Sequence, residues 1–260
     1  VRVFSFKQLA LFCAGVAGVS LVFYGVETLL HGPWFLREFI KYHIRLLTTS
    51  DAGHGQPFYY HFVVIFFGCF PVSILALRAF ARAAPPTLPQ ADFRKWMLIL
   101  FWVVLIVFSL VRTKTVLYSS LTYFPLTFLA AYSMRSLIRG DLRLPAPLLV
   151  TLGIVGILVG AAITGLPLLM LNKEWILPHI DDRFAVACLS KPVRWGGWEW
   201  VIGAVYTTVL GSCFVALARK RFTGGLVTLL LATAIVLPVY MRVVVPKVES
   251  YTQGGPIEFY

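Results

Sequence analysis

Charge-free apolar runs alternate with short basic or mixed segments along this chain: Gln8–Val26, Ala52–Leu77, Trp96–Val111, Thr115–Met134, Leu144–Asn172, Trp200–Ala218 and Phe222–Met241. Each is about long enough to cross a bilayer core, which takes ~20 residues of helix. The pattern therefore predicts an all-α integral membrane protein with about seven transmembrane helices. Between the first two runs the period changes. Leu36, Phe39, Ile40, His43 and Leu47 fall on one helical face, while Arg37, Glu38, Lys41 and Arg45 fall elsewhere. That spacing predicts an interfacial helix over Trp34–Leu47, lying along the outer leaflet. The chain divides into a membrane region, 1–241, with outer loops 30–56, 112–117 and 172–199, and a segment 242–260 that reads as the start of a truncated extracytoplasmic portion. The bounds at Val1 and Tyr260 read as cuts within a longer protein.

Composition agrees. At 59% hydrophobic, 13% charged and mean hydropathy +0.82, the chain is no soluble enzyme or nucleic-acid-binding domain. The formal charge of +12 does not change this, because of where it sits. With Val1 inside, the inner segments hold Arg2, Lys7, Arg78, Arg82, Arg94, Lys95, Arg135, Arg139, Arg143, Arg219, Lys220 and Arg221 against only Asp92 and Asp141. The outer bases are nearly balanced by acids. This is the positive-inside bias, which needs no polyanionic partner. Cys13, Cys69 and Cys213 lie within spans and leave Cys188 alone, so no disulfide framework is readable. Gly156 and Gly160 form a G-x-x-x-G spacing, which permits close helix packing.

Candidate chemistry gathers on the outer side, where His31, His43, His54, His61 and His179 all map. The densest group is His43 and Arg45 followed by Ser50-Asp51-Ala-Gly-His54-Gly-Gln-Pro57-Phe58-Tyr59-Tyr60-His61. Imidazoles ligate metals or take protons, and a guanidinium forks onto phosphate; the same residues also serve as interfacial anchors. A second group, Arg112-Thr-Lys114-x-x-x-Tyr118, pins two cations and a phenol in a short outer turn. Cations near hydrocarbon point to an anionic ligand, such as a lipid phosphate, unless they snorkel to water. A third group, Lys173, Glu174, His179, Asp181, Asp182 and Arg183, reads as a divalent-cation site or a hydrated loop. No Walker A loop, G-x-G-x-x-G fingerprint, G-x-S-x-G elbow or H-E-x-x-H helix is present. Carboxylates are absent from the spans apart from Glu27 near an outer end, which weakens a proton-coupled transporter.

Asp51-Ala52-x-His54-x-x-Pro57-Phe58-x-Tyr60, following an amphipathic helix that carries His43, resembles the polyprenol-phosphate-sugar-dependent glycosyltransferases of the GT-C class. Within that class the chain is similar to the bacterial protein O-mannosyltransferase and lipid A aminoarabinose transferase group. Ser109-x-x-Arg112-Thr-Lys114-x-x-x-Tyr118 is similar to the family's Ser-x-x-Lys-x-x-x-Tyr segment, and Tyr251–Phe259 resembles the entry to its small extracytoplasmic domain. Thr115, Val116 and Leu121 stand where the family has a leucine and two prolines, which leaves the donor subtype open.

The resemblance implies the last seven of about thirteen spans in a bacterial inner membrane, with the N-terminus of this chain cytoplasmic and its C-terminus periplasmic. It implies transfer of a sugar from a polyprenyl-phosphate donor to a protein or envelope-glycolipid acceptor. Lys114 and Arg112, with Tyr118 and Arg45, would hold the donor phosphate. His43, His54, Tyr59 and Tyr60 would face the acceptor, and His43 with His54 would alternatively bind a divalent metal ion. The catalytic aspartate is expected in the N-terminal half, so no catalytic residue is assigned in this chain. The implied partners are the lipid-linked sugar, the acceptor and membrane lipid, with no nucleic acid. Two other readings stand beside this one: a flippase for a lipid-linked saccharide, and a non-catalytic membrane subunit.

Overall fold

The structure, a computed structural model, describes residues 5–49, 55–81 and 88–253. All its regular elements there are helical: α1 (Phe6–His31), α2 (Trp34–Thr48), α3 (Tyr60–Gly68), α4 (Val72–Ala81), α5 (Leu88–Leu110), α6 (Tyr123–Arg139), α7 (Ala146–Leu171), α8 (Arg183–Ser190), α9 (Trp200–Ala218), α10 (Phe222–Val243) and α11 (Val245–Thr252). Among the described residues, five stretches are long and apolar enough to span a membrane: Phe6–His31, Asp92–Leu110, Ala146–Leu171, Trp200–Ala218 and Phe222–Thr252. The chain is an all-α, multi-pass membrane protein.

Two of the seven expected spans are not single helices. The run Ala52–Leu77 becomes α3 and α4, bent by 113° at the break between them. Pro71 lies in that break. It lacks an N–H, and its ring disfavours helical backbone at the residue before it. Counting the bent pair as one crossing gives six spans. The run Thr115–Met134 becomes a 3₁₀ segment, Val116–Thr122, followed by the 17-residue α6. Pro125 falls in the first turn of α6, where the missing donor has no intrahelical acceptor to lose. Helix α6 alone is short of the ~20 residues that a crossing needs.

The chain forms two compact units. The first comprises Val1–His61 and Ile106–Tyr118. Ser5 caps α1 in a reciprocal pair with Gln8. After Gly32-Pro33 the chain returns as α2, whose Phe35 and Phe39 rings lie 6.5 and 5.5 Å from that of Tyr24 on α1. The expected amphipathic helix is therefore present, and its aromatic edge is what attaches it.

The second unit comprises Phe62–Leu105 and Ser119–Tyr260. Its core includes Ile74 and Leu75 on α4, Leu129 on α6, and Leu226 and Leu229 on α10. Helix α7 packs on α9 in an antiparallel register, with Gly153 against Phe214, Gly160 against Thr207 and Thr164 against Gly203. Each threonine stands four residues after a glycine of its own helix and returns its hydroxyl to that glycine's carbonyl, Thr164 to Gly160 and Thr207 to Gly203, at 2.8 Å. The small-residue spacing thus serves packing within the chain. Tyr206 and Thr233 join α9 to α10 by a 2.9 Å hydroxyl pair.

Candidate functional site

In the first unit, the strand-like stretch after α5 is held to the end of α2 by its own backbone. The N–H groups of Arg112 and Thr113 donate to the carbonyls of Leu47 and Leu46 at 3.4 and 3.2 Å. The Thr113 hydroxyl donates to Thr49 O at 2.8 Å, and Gly55 pairs with Thr113 in an antiparallel bridge. These bonds fix the direction of the next side chain, Lys114. It is buried, with 4% of its surface exposed. Its ammonium donates to Gln56 O at 3.1 Å and to Val111 O. An ammonium has three N–H groups, so one is left without a protein partner among the described residues.

That group borders a cavity of about 420 Å³ lined by Gly55, Gln56, Phe58, Ser109, Leu110, Arg112 and Lys114. Arg112 is exposed and has no carboxylate partner among the described residues. Ser109, in the last turn of α5, is 1% exposed and its hydroxyl has no hydrogen-bond partner among the described residues. Burial, and then the neighbouring Arg112 cation, pull the Lys114 ammonium below the usual lysine value. The cavity therefore presents two cations and an idle hydroxyl, with no carboxylate among the described residues of its lining. An anion with several acceptor oxygens matches that donor set.

Of the other residues expected at this site, the described ones do not line the cavity. Tyr118 stacks on Phe108, ring centroids 5.4 Å apart. Arg45 places its guanidinium 5.4 Å over the Tyr42 ring. His43 is exposed on α2, with its Nδ1 2.8 Å from Phe39 O, which engages one of its two nitrogens. Tyr59 is 63% exposed and Tyr60 half-buried. Asp51 and His54 lie outside the described residues. Among the described residues no group of three or more His, Cys, Asp or Glu is placed to hold a metal ion. In the 172–199 loop, His179 Nδ1 is 3.0 Å from Trp175 O and Asp182 caps α8 by accepting from Phe184 N–H. Those two side chains organise turns rather than a cation site.

Two features were given no role of their own in the sequence. His61, on the first turn of α3, has no exposed surface, and neither ring nitrogen has a partner among the described residues. The signal was available, since an ionisable residue in an apolar run is costly to keep. The second lies in the other unit. Glu199, just before α9, is fully buried and accepts from Gly196 N–H at 2.6 Å and from the Lys247 ammonium on α11. Lys247 also stands 5.5 Å over the Trp195 ring, and Trp195 donates to the Tyr251 hydroxyl at 3.0 Å. Lys173 sits 5.4 Å over Tyr251 and donates to Leu189 O and Lys191 O. Burial alone would push the Glu199 carboxyl up, but the bonds from Lys247 and Gly196 outweigh it and hold it at about 2. The group fastens the 172–199 loop to α11. Its members reach from Lys173 to Tyr251, 78 residues apart, so no local motif announces it.

Compared with known proteins, the chain matches no family model, no curated protein and no solved structure.

Proposed function

We propose that this chain is the donor-binding membrane portion of a glycosyltransferase that uses a polyprenyl-phosphate sugar on the extracytoplasmic face of a bacterial inner membrane. The observation that carries the reading is Lys114: a buried lysine with no carboxylate partner among the described residues, bordering a cavity shared with Arg112 and the idle Ser109 hydroxyl. A cation in such a place is stabilised by an anion, and a lipid phosphate arrives with its chain already in the bilayer. In the reaction, Lys114 and Arg112 bind the donor's bridging phosphate. The bond between the sugar's anomeric carbon and the phosphate oxygen breaks, and the acceptor oxygen forms the new bond to that carbon. The departing polyprenyl phosphate gains negative charge as it leaves, which the two cations stabilise more strongly than in the ground state. The acceptor proton passes to a base to which no residue is assigned.

The test uses the full-length protein in nanodiscs with a radiolabelled prenyl-phosphate sugar and candidate protein and glycolipid acceptors. Wild type transfers label, and Lys114→Ala loses about a hundredfold in kcat/KM for the donor, the scale of one buried charge-assisted contact. Donor binding without transfer to any acceptor would favour the flippase reading. Transfer unaffected by Lys114→Ala would remove the phosphate assignment.

A further inference from the structure

The lining of the anion cavity fixes a charge as well as a shape. Lys114 and Arg112 bring two positive charges to it, and no carboxylate stands among the described residues of that lining. A guanidinium keeps its proton at any ordinary pH. Burial first, and then the Arg112 charge, hold the Lys114 ammonium below its usual value. With Lys114 4% exposed, little water reaches it to screen the repulsion between the two cations.

The donors come from three lining side chains. Two N–H groups of the Lys114 ammonium go to Gln56 O and Val111 O, which leaves the third. Arg112 has no carboxylate partner among the described residues and offers its guanidinium fork. The buried Ser109 hydroxyl, with no partner among the described residues, is the third donor group. A phosphodiester answers only part of this arrangement. It presents two unesterified oxygens that share one negative charge, so one cation stays unmatched. A phosphomonoester presents three terminal oxygens and about −1.5 to −2 charge at neutral pH. Three donor groups then meet three oxygens, and the two cations meet nearly two charges.

We propose that the cavity is selective for the terminal phosphate of a prenyl phosphomonoester over the phosphodiester of a prenyl-linked sugar. This rests on the phosphate-site reading of Lys114. On that reading the bond from the anomeric carbon to the phosphate oxygen breaks with its electron pair left on the oxygen. The acceptor oxygen bonds the carbon and its proton is released, so a monoanionic diester becomes a dianionic monoester in the same cavity. The product is therefore held more tightly than the donor it came from, and its departure limits turnover. Steady transfer depends on a reaction that consumes a prenyl monophosphate.

The experiment measures Kd by calorimetry for the full-length protein in nanodiscs at about pH 7.5, above the second ionisation of a monoester near ~6. The probes are a short-chain prenyl monophosphate, its methyl ester and inorganic phosphate; the first two share one chain, so the apolar contribution cancels. The variants are Arg112→Gln, Ser109→Ala and Lys114→Ala. In wild type the monophosphate binds about tenfold or more tightly than its methyl ester, the scale of one charge-assisted hydrogen bond. Arg112→Gln and Ser109→Ala weaken the monophosphate more than the ester and shrink that ratio. Arg112 is exposed, so its variant reads the charge match even where Lys114→Ala does not fold. Equal affinities, or a tighter ester, with both lost in Lys114→Ala would overturn the selectivity and leave the donor reading standing. A ratio untouched by both Arg112→Gln and Ser109→Ala would overturn it as well. Binding that survives in folded Lys114→Ala, or no binding of any probe, would overturn both readings. Lys114-dependent binding of inorganic phosphate as tight as that of the monophosphate would support the terminal-phosphate selectivity and refute a lipid source for the anion.

Discussion

Replacing Gly203 by alanine places a methyl group 2.5 Å from the Thr164 backbone nitrogen and 2.7 Å from its Cα. Carbon–carbon contacts are comfortable at about 3.5–4.0 Å, so α7 and α9 must separate by roughly an ångström, and backbone atoms have no rotamer to yield. Overpacking of this kind costs about 1–3 kcal/mol. In a membrane the loss falls on the packing that holds the helices together, since close approach of small residues is the main source of helix association there. Gly160→Ala meets a different obstacle: Thr207 Oγ1 first, then Thr207 Cβ at 3.2 Å. That hydroxyl can rotate away by giving up its bond to Gly203 O. Gly165→Ala meets nothing within 4 Å and supplies the background effect of alanine on the helix.

The order of stabilities is therefore Gly165→Ala, then Gly160→Ala, then Gly203→Ala, with the last about 2–3 kcal/mol below the first. Rescue separates the two damaging changes. Thr207→Ala removes the hydroxyl that Gly160→Ala strikes and restores most of the loss. Thr164→Ala leaves the backbone in place and does not rescue Gly203→Ala. Unfolding of the purified protein in bicelles, followed by denaturant titration, measures all five variants. If Gly203→Ala falls within about 0.5 kcal/mol of Gly165→Ala, the scatter of an ordinary surface change, or is rescued by Thr164→Ala, the backbone-contact argument fails.

Two expectations concern the Glu199 group. Its carboxyl is held at about 2 in the folded protein against an ordinary 4.5, so the unfolded chain binds more protons between these values. The stability it contributes is complete above about pH 4.5 and is lost as pH falls toward 2; melting curves from pH 6 to pH 3 follow that loss, and Glu199→Gln flattens it. Lys247→Met leaves the fully buried carboxylate without its cation and costs about 3–5 kcal/mol, read at pH 7 by the same melts; a cost below about 1 kcal/mol, the scale of a surface ion pair, would show that the pair is not holding the loop.

What the sequence made legible follows from how local each cause is. The spans at α1, α7, α9 and α10 were readable because lipid solvates one helix at a time, so a run of apolar residues suffices. The amphipathic α2 was readable because its period lies within one turn-by-turn pattern. The breaks at Pro71 and Thr122 were misread because the apolar run continues through them, and hydropathy outweighed the backbone chemistry of a proline. Lys114 and Arg112 were singled out from type and depth, and both line one cavity. The disposition of Arg45 and Tyr118 was not, since each has aromatic neighbours in reach, Tyr42 and Phe108, that compete with the cavity. The Glu199 group was invisible for a different reason: its members come from the 172–199 loop and α11, and only the fold brings them together.

The contrast among three lysines carries the functional argument further. Lys247 is matched by a buried carboxylate, and Lys173 by two carbonyls and a ring. Lys114, more buried than Lys247, has two carbonyls, a neighbouring guanidinium and no carboxylate among the described residues. If its counter-charge is an exchangeable ligand, a carboxylate installed in the cavity should take the ligand's place. Ser109→Asp does this at a lining position whose hydroxyl has no partner. The substituted protein melts higher than wild type in the absence of donor and fails to bind a prenyl phosphodiester, because the cavity is already neutralised. Ser109→Asn, similar in size but uncharged, gains little stability and loses less binding. In a Lys114→Ala background the same aspartate is buried without its cation and destabilises by about 3–5 kcal/mol. A double-mutant cycle on melting free energies reads the coupling, and stabilisation by Ser109→Asp requires it to exceed the cost of burying the aspartate. Equal destabilisation by Ser109→Asp in both backgrounds would mean that Lys114 does not face this cavity as a charge seeking an anion, and the donor site would have to be sought elsewhere in the chain.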